Sequence, residues 1–494
     1  MLRKEEVDSE SSRQTDNDSR HLWVSLLLPM TLLYFCVSVA KSTTSTLQVE
    51  LPSLVFWPQH KRSEREHLDF EYALTFAFDI PSLFALLFAY AMNKFFARHT
   101  AALTFVVLVG IVGALTSAAA AAMSSFVLFV VARFIQGIAH CSFKVLSKAV
   151  FVSRLPHAKL AFALGMIHVG CVFATVVDSA LSERLFFALL ATGMSAPFSA
   201  SVFLIAGGAM TALFLPFLWW SKWPRESSTT LSDLLVTPSR DSPERRPSYR
   251  LMYDYCLALC RAPITFWLLF TIGVLVDLSV WNLYTSAKKI FVAQFGFVPT
   301  LSFVAVYAAS ARYAPIFAPL IGHLSDRCKL RFGAKGLRWL LLLGTSLTLL
   351  LHISLIALAQ TGVTQSTALA WTLAATFFAF GLTNSIVASV TQPSIAVMSL
   401  EHGPPESDSS AAFAALRTAK ALAKCTPVVV NEICFAFGMA ASESQLWAAR
   451  EWVSVGCASL ALLLTFSLFV KRALQPLTAI VEMADVSTNA SLTD

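Results

Sequence analysis

About twelve blocks of roughly twenty apolar residues dominate this chain, each long enough to cross ~30 Å of hydrocarbon as a helix. They fall near 22–41, 69–92, 100–121, 124–149, 159–181 and 198–220, then 263–286, 301–324, 338–359, 367–392, 411–435 and 449–470. Lipid offers no hydrogen-bond partner to the backbone, so each block must satisfy its own amides, and the helix does this. Alternating ten-residue strands, the mark of an outer-membrane barrel, are absent. Composition agrees: 56% of the residues are hydrophobic and 14% are charged, against about a quarter charged in soluble chains.

The blocks form two sets of six, divided by Ser221–Arg250, a stretch rich in Ser, Pro and charge that reads as a linker. Six, linker, six predicts a duplicated helical unit. The expected domains are a polar cytosolic tail (1–21), a first bundle (22–220), a cytosolic linker (221–262), a second bundle (263–472) and a cytosolic tail (473–494). No apolar core follows the start closely, so the first block is expected to stay as a span rather than leave as a signal peptide.

Charge sets the orientation. With the N-terminus in the cytosol, Arg3, Lys4, Arg13, Arg20, Lys94, Arg98, Arg154, Lys159, the linker arginines and Arg327 to Arg338 all lie on that side, as positive-inside topology requires. The net charge of +7 is thereby a membrane-topology charge, and nucleic acid is not an expected partner. The nine cysteines are scattered, mostly inside apolar blocks, and read as small buried hydrophobes. No phosphate-binding loop, nucleophile elbow, zinc motif or CxxC stands out, so neither an enzyme nor a cofactor is expected. The triplets at Asn17 and Asn489 fall on tails placed in the cytosol and are expected to carry no glycan.

The densest charge lies between the eighth and ninth blocks. Gly322–Arg338 holds His323, Arg327, Lys329, Arg331, Lys335 and Arg338 but one acid, Asp326. The pattern Gly322-x-Leu324-x-Asp326-Arg327-x-Lys329-x-Arg331 resembles the loop motif of the major facilitator superfamily, at the place the block count gives it. A glycine lets helices approach closely, and an aspartate can cap a helix or pair with arginine. At the equivalent turn of the first half, Asn93 and Lys94 stand where that motif has Asp and Arg. The resemblance implies a gate formed by Gly322, Asp326, Arg327 and Arg331, with Asn93 and Lys94 as its weaker counterpart. "ARFIQGIA" on the fourth block, with Arg133, Gln136, Gly137 and Ala139, resembles a second motif of that superfamily. The implied architecture is an all-α membrane protein of twelve transmembrane helices in two pseudo-symmetric six-helix bundles.

Longer stretches, "RFIQGIAHCSFKVLSKAVFVSRLPHAKLAFALGM", "TSAKKIFVAQFGF" and "SVTQPSI", resemble the lysosomal dipeptide transporter family of that superfamily. That resemblance implies dipeptides as substrates, a lysosomal or other endomembrane site, and a glycosylated accessory membrane protein as partner. The chain departs from it where the family binds peptide ends: the acid of helix four falls on Cys141 and the arginine of helix five near Gly170.

Other polar residues inside the blocks are candidates for a substrate site, because an ionisable group in lipid normally faces a cavity or a partner. Arg133, Gly137, His140, Lys144 and Lys148 are spaced 4, 3, 4 and 4 apart, on one helical face. Arg417, Lys420 and Lys424 share a face of the eleventh block. Such stripes favour an anionic solute. Arg133, His140, Lys420 and Lys424 lie deep, whereas Lys144, Lys148 and Arg417 lie nearer the ends, where long cations reach headgroups. Asp277 is the expected substrate or proton site, with Trp281 a turn beyond. Tyr34, Cys141, His168 and Asn384 complete the expected lining, and Asp79, two residues before Pro81, suits a kink or cap. Three functions stay open: a small-solute transporter, by resemblance for dipeptides; a transporter of organic anions or other metabolites; and a scaffold or receptor that carries nothing.

Overall fold

The computed structural model describes residues 26–46, 55–56, 64–96, 99–155, 157–220, 259, 262–297, 307, 310–363, 366–402, 409–436 and 443–469. The two predicted tails and nearly all of the linker lie outside them. Every regular element among the described residues is helical.

In the first half, α1 is Leu28–Thr46, α2 is Glu64–Leu83 continued by Ala85–Phe95, α3 is His99–Ala122, α4 is Phe126–Arg154, α5 is Leu160–Ala191 and α6 is Ala196–Trp220. In the second half, α7 is Ile264–Lys289; α8 and α9 are the arms 310–332 and 334–360 either side of Gly333; and α10 is Thr367–His402. α11 is Ser410–Lys424 continued by Thr426–Ala436, and α12 is Glu443–Ser467. The fold is therefore twelve spans. Eight continuous helices are long and apolar enough to cross a membrane, α8 and α9 counting as one of them, and α2 joins them as a pair bent by 53°. These spans are apolar all round: Leu108, Val112, Leu115, Phe198 and Leu463 project outward while Ala, Gly and Ser fill the seams. That distribution suits helices solvated by lipid and packed on small residues.

The two halves repeat one packing scheme. α1 packs on α5 and α6, α2 on α4, and α3 on α4 and α6; six spans later, α7 packs on α11 and α12, α8 on α10, and α9 on α10 and α12. The bundles meet along α5 with α8 and along α2 with α11.

Two departures from the predicted element boundaries shape the site. The charged stretch after Gly322 is not a loop: both arms stay helical through it, and the reversal is confined to Gly333, whose φ of 59° and ψ of −146° suit a residue without a Cβ. And α11 is broken at Cys425, just before Pro427, which cannot continue the α11 hydrogen-bond ladder.

Candidate functional site

The polar residues of the blocks collect where the bundles face each other. α2 bends beside Pro81, and Asp79 lies just before the bend, 8% exposed. From the opposite bundle, α11 brings two cations to it. Lys424 Nζ donates to Asp79 Oδ1 at 3.0 Å and Oδ2 at 3.4 Å, and Arg417 Nη2 stands 3.7 Å from Oδ1. Lys424 also lies over the Trp281 ring of α7, 3.9 Å from its centroid, a cation–π contact. Thr418 of α11 donates to the carbonyls of Ser82 and Leu83, which the bend of α2 exposes to it.

One turn away, Lys420 Nζ stands 3.3 Å from Asp277 Oδ1 of α7, and Asn384 of α10 donates its amide to the same oxygen at 3.5 Å. Both partners of this ion pair are 17% exposed, so the pair borders open space. Lys148 of α4 donates to Gln392 of α10 at 2.7 Å and lies over the Phe413 ring. Lys148 and Arg417 thus turn inward across the bundle interface instead of outward to headgroups, because the neutral amide and the Asp79 carboxylate offer partners there.

On the first-bundle side, Lys144 stands 5.9 Å from the centroid of the Tyr34 ring, which stacks between His140 and Phe143. Tyr34 and His140 are buried, so they build the wall more than its surface. Arg133 is buried too: its guanidinium lies over Phe78 and donates to Gln136 at 3.0 Å, and Gln136 donates on to Ser117 of α3. His168 of α5 is exposed. Cys141 is fully buried, as a small hydrophobe would be. Gly170 presses on α1: a Cβ there would stand 2.5 Å from the Thr31 carbonyl oxygen.

The Gly322–Arg331 motif joins the two bundles where α8 meets the start of α5. Asp326 accepts the backbone amides of Ala161 at 3.3 Å and Phe162 at 2.9 Å, the first turn of α5. Those amides have no partner inside their own helix, and a carboxylate is their strongest cap. Beside it the backbones touch: a Cβ on Gly322 would lie 2.4 Å from the Ala161 carbonyl oxygen, and one on Gly165 would lie 2.6 Å from that of Ala318. Arg327 and Arg331 are exposed, and Arg331 stands over its neighbour Phe332. The acid of the motif thus engages α5 backbone, and its arginines face outward. The side chains of Asn93 and Lys94 lie outside the described residues.

Sequence reasoning did not foresee the partner of Asp79, although Arg417 and Lys424 share the helical face that carries it. It also missed His352 of α9 and Glu451 of α12, joined at 2.6 Å between Nδ1 and Oε1, both side chains fully buried. No group of three or more metal-ligating side chains occurs among the described residues.

Two bundles repeat one packing scheme, and ionic side chains of facing helices meet between them. The family model of the major facilitator superfamily matches residues 30–425. The chain belongs to that superfamily. Solved structures with the same fold include FucP, a major facilitator superfamily transporter in the outward conformation, at 14% identity and a TM-score of 0.59, covering 89% of this chain and 97% of that one. The proton:xylose symporter XylE bound to 6-bromo-6-deoxy-D-glucose gives 14% identity and a TM-score of 0.62, over 92% and 96%. The human organic anion transporter MFSD10 gives 14% identity and a TM-score of 0.57, over 89% and 99%. A comparison with curated proteins finds no match. The protein is a multi-pass membrane transporter of small solutes.

Proposed function

We propose that this transporter carries small organic anions. The observation that supports it most is a charge imbalance. Lys148, Arg417, Lys420 and Lys424 meet two carboxylates, Asp79 and Asp277, and Lys148 is bonded to a neutral amide. In a partly dehydrated space such an excess raises the local concentration of anions and disfavours cations. Trp281 and Tyr284 supply aromatic surface for the apolar part of an organic acid.

Dipeptides fit this space less well. The position matching the amino-terminal acid is Cys141, sealed in the core, and the position matching the carboxylate-binding arginine is Gly170, packed against α1 backbone. The carboxylates a zwitterion's ammonium would meet, Asp79 and Asp277, are already engaged by Lys424, Arg417 and Lys420, and an unpaired buried ammonium is costly.

In this reading the tails and the Gly322–Arg338 turn are cytosolic, as the distribution of Lys and Arg supports, and the cytosolic end is the closed one. The Asp326 cap and the Gly322 and Gly165 contacts are its latch. An endomembrane location and an accessory glycoprotein rest on the family resemblance, and co-localisation with organelle markers and co-purification test them.

Thermal stabilisation of the purified protein by dicarboxylates, monocarboxylates, neutral sugars and dipeptides tests the substrate class. Stabilisation by carboxylates alone is expected, followed by uptake of the same compounds into liposomes. Stabilisation by dipeptides alone would overturn the reading.

A further inference from the structure

Asp79 occupies the position a substrate carboxylate would take. It lies 3.0 Å from Lys424 and 3.7 Å from Arg417, and its Oδ1 serves both. The guanidinium is under-served by this. Arg417 is 11% exposed, its approach to Asp79 is beyond hydrogen-bond distance, and its Nε has no hydrogen-bond partner. A nearly buried guanidinium with an idle donor is a place for another acceptor.

The ion pair also joins the bundles. Asp79 belongs to α2 of the first and the two cations to α11 of the second, and Thr418 ties the same two helices a turn away. Each helix is broken there: α2 bends between Leu83 and Ala85, and α11 is interrupted at Cys425. Two weak points of opposite bundles are thus held together by one carboxylate.

We propose that Asp79 is an internal counter-ion that competes with the transported anion for Arg417 and Lys424, so that arrival of the anion releases the α2–α11 tie. The inference rests on the anion reading above. In the empty protein Asp79 engages Lys424 closely and Arg417 at longer range, and holds the helices together. A bound carboxylate takes over both cations, so neither is stranded, and the displaced Asp79 has to gain water as the α2–α11 tie opens, a cost the anion must offset. A ligand moves a conformational equilibrium only through its differential affinity for the two states. Here the state with the tie released is the one that offers both cations, so it binds the anion more tightly. The sign of the prediction is unusual for a residue inside a binding site: removing this carboxylate tightens binding.

The test is the affinity for succinate of the full-length protein in detergent, measured by thermal shift and microcalorimetry, with glucose as the uncharged control. Asp79→Asn is expected to lower the succinate Kd about tenfold, and Asp79→Glu, which keeps the charge, is expected to leave it within about twofold of wild type. A spin-label distance across α2 and α11 is expected to lengthen in Asp79→Asn without ligand, and in wild type only with succinate. If Asp79→Asn does not fold, Asp79→Asn/Lys424→Gln is compared with Lys424→Gln alone, and the double variant is expected to bind more tightly. Equal or weaker succinate binding in the variant lacking the carboxylate overturns the exchange while leaving the anion reading intact, provided wild type binds and Lys420→Gln weakens it. No binding of succinate to any form, wild type included, overturns both.

Discussion

Asp326 of α8 accepts the backbone amide of Phe162 in α5 at 2.9 Å, and so one side chain of the second bundle completes a helix of the first. The contact is made to backbone, so its strength does not depend on which side chain follows on α5. It depends on the acid being ionised and on the helices lying close.

Replacing that acid tests the latch directly. Asp326→Ala removes the cap from two amides, and a lost charged cap costs about 1–2 kcal/mol. The closed form is expected to lose population, read as faster maleimide labelling of Cys328, a half-buried thiol in the same arm, in a background with no other cysteine. An unchanged labelling rate would mean that the glycine contacts alone hold this end shut.

Those contacts make their own prediction. A Cβ on Gly322 would sit 2.4 Å from a carbonyl oxygen that belongs to a helix and cannot turn away. Overpacking of this kind costs about 1–3 kcal/mol. Gly322→Ala is expected to fold, to bind substrate from the opposite face, and to transport slowly because closure is hindered. Gly456→Ala, where among the described residues nothing beyond its own helix backbone lies within 4 Å of the added group, is the control and is expected to behave as wild type.

The Asp277–Lys420 pair separates charge balance from transport. Lys420→Gln leaves Asp277 beside a neutral amide, and the melting temperature is expected to fall by the equivalent of about 1–3 kcal/mol, less than for a fully buried pair because water reaches both groups. Asp277→Asn/Lys420→Gln is expected to recover stability but not carboxylate uptake. Recovery of both would assign the pair a structural role only.

His352 and Glu451 form the opposite case, a sealed pair between α9 and α12. Glu451→Ala or His352→Ala is expected to cost about 3–5 kcal/mol, because either leaves a polar partner buried alone. His352→Phe/Glu451→Leu, apolar on both sides, is expected to recover most of that loss, as thermal unfolding in detergent would report.

The twelve spans were legible because lipid imposes one requirement on every apolar block, and block length answers it without reference to neighbours. The stripes of α4 and α11 were legible for a similar reason: spacings of three and four fix a helical face. Partnerships across elements were not. Asp79 precedes Pro81, and that local signal favoured a kink, while its ionic partners lie on α11, far away in the sequence. Glu451 lies at the edge of the 449–470 block, yet α12 begins at Glu443 and carries it into the interior. The Gly322 motif announced a turn, and only the backbone showed that the turn is the single residue Gly333.

The seam between α5 and α8 has a consequence for rate. At Gly165 and Gly322 the two bundles touch backbone to backbone, with no side chain to find a rotamer when they meet or to lose one when they part. Apart from Asp326, closing these two glycine contacts freezes no side-chain freedom, so their free energy is set by short-range contacts that vanish within about an ångström of separation. A joint of this kind gives way abruptly instead of yielding by degrees, which favours two discrete states over a continuum of half-open forms.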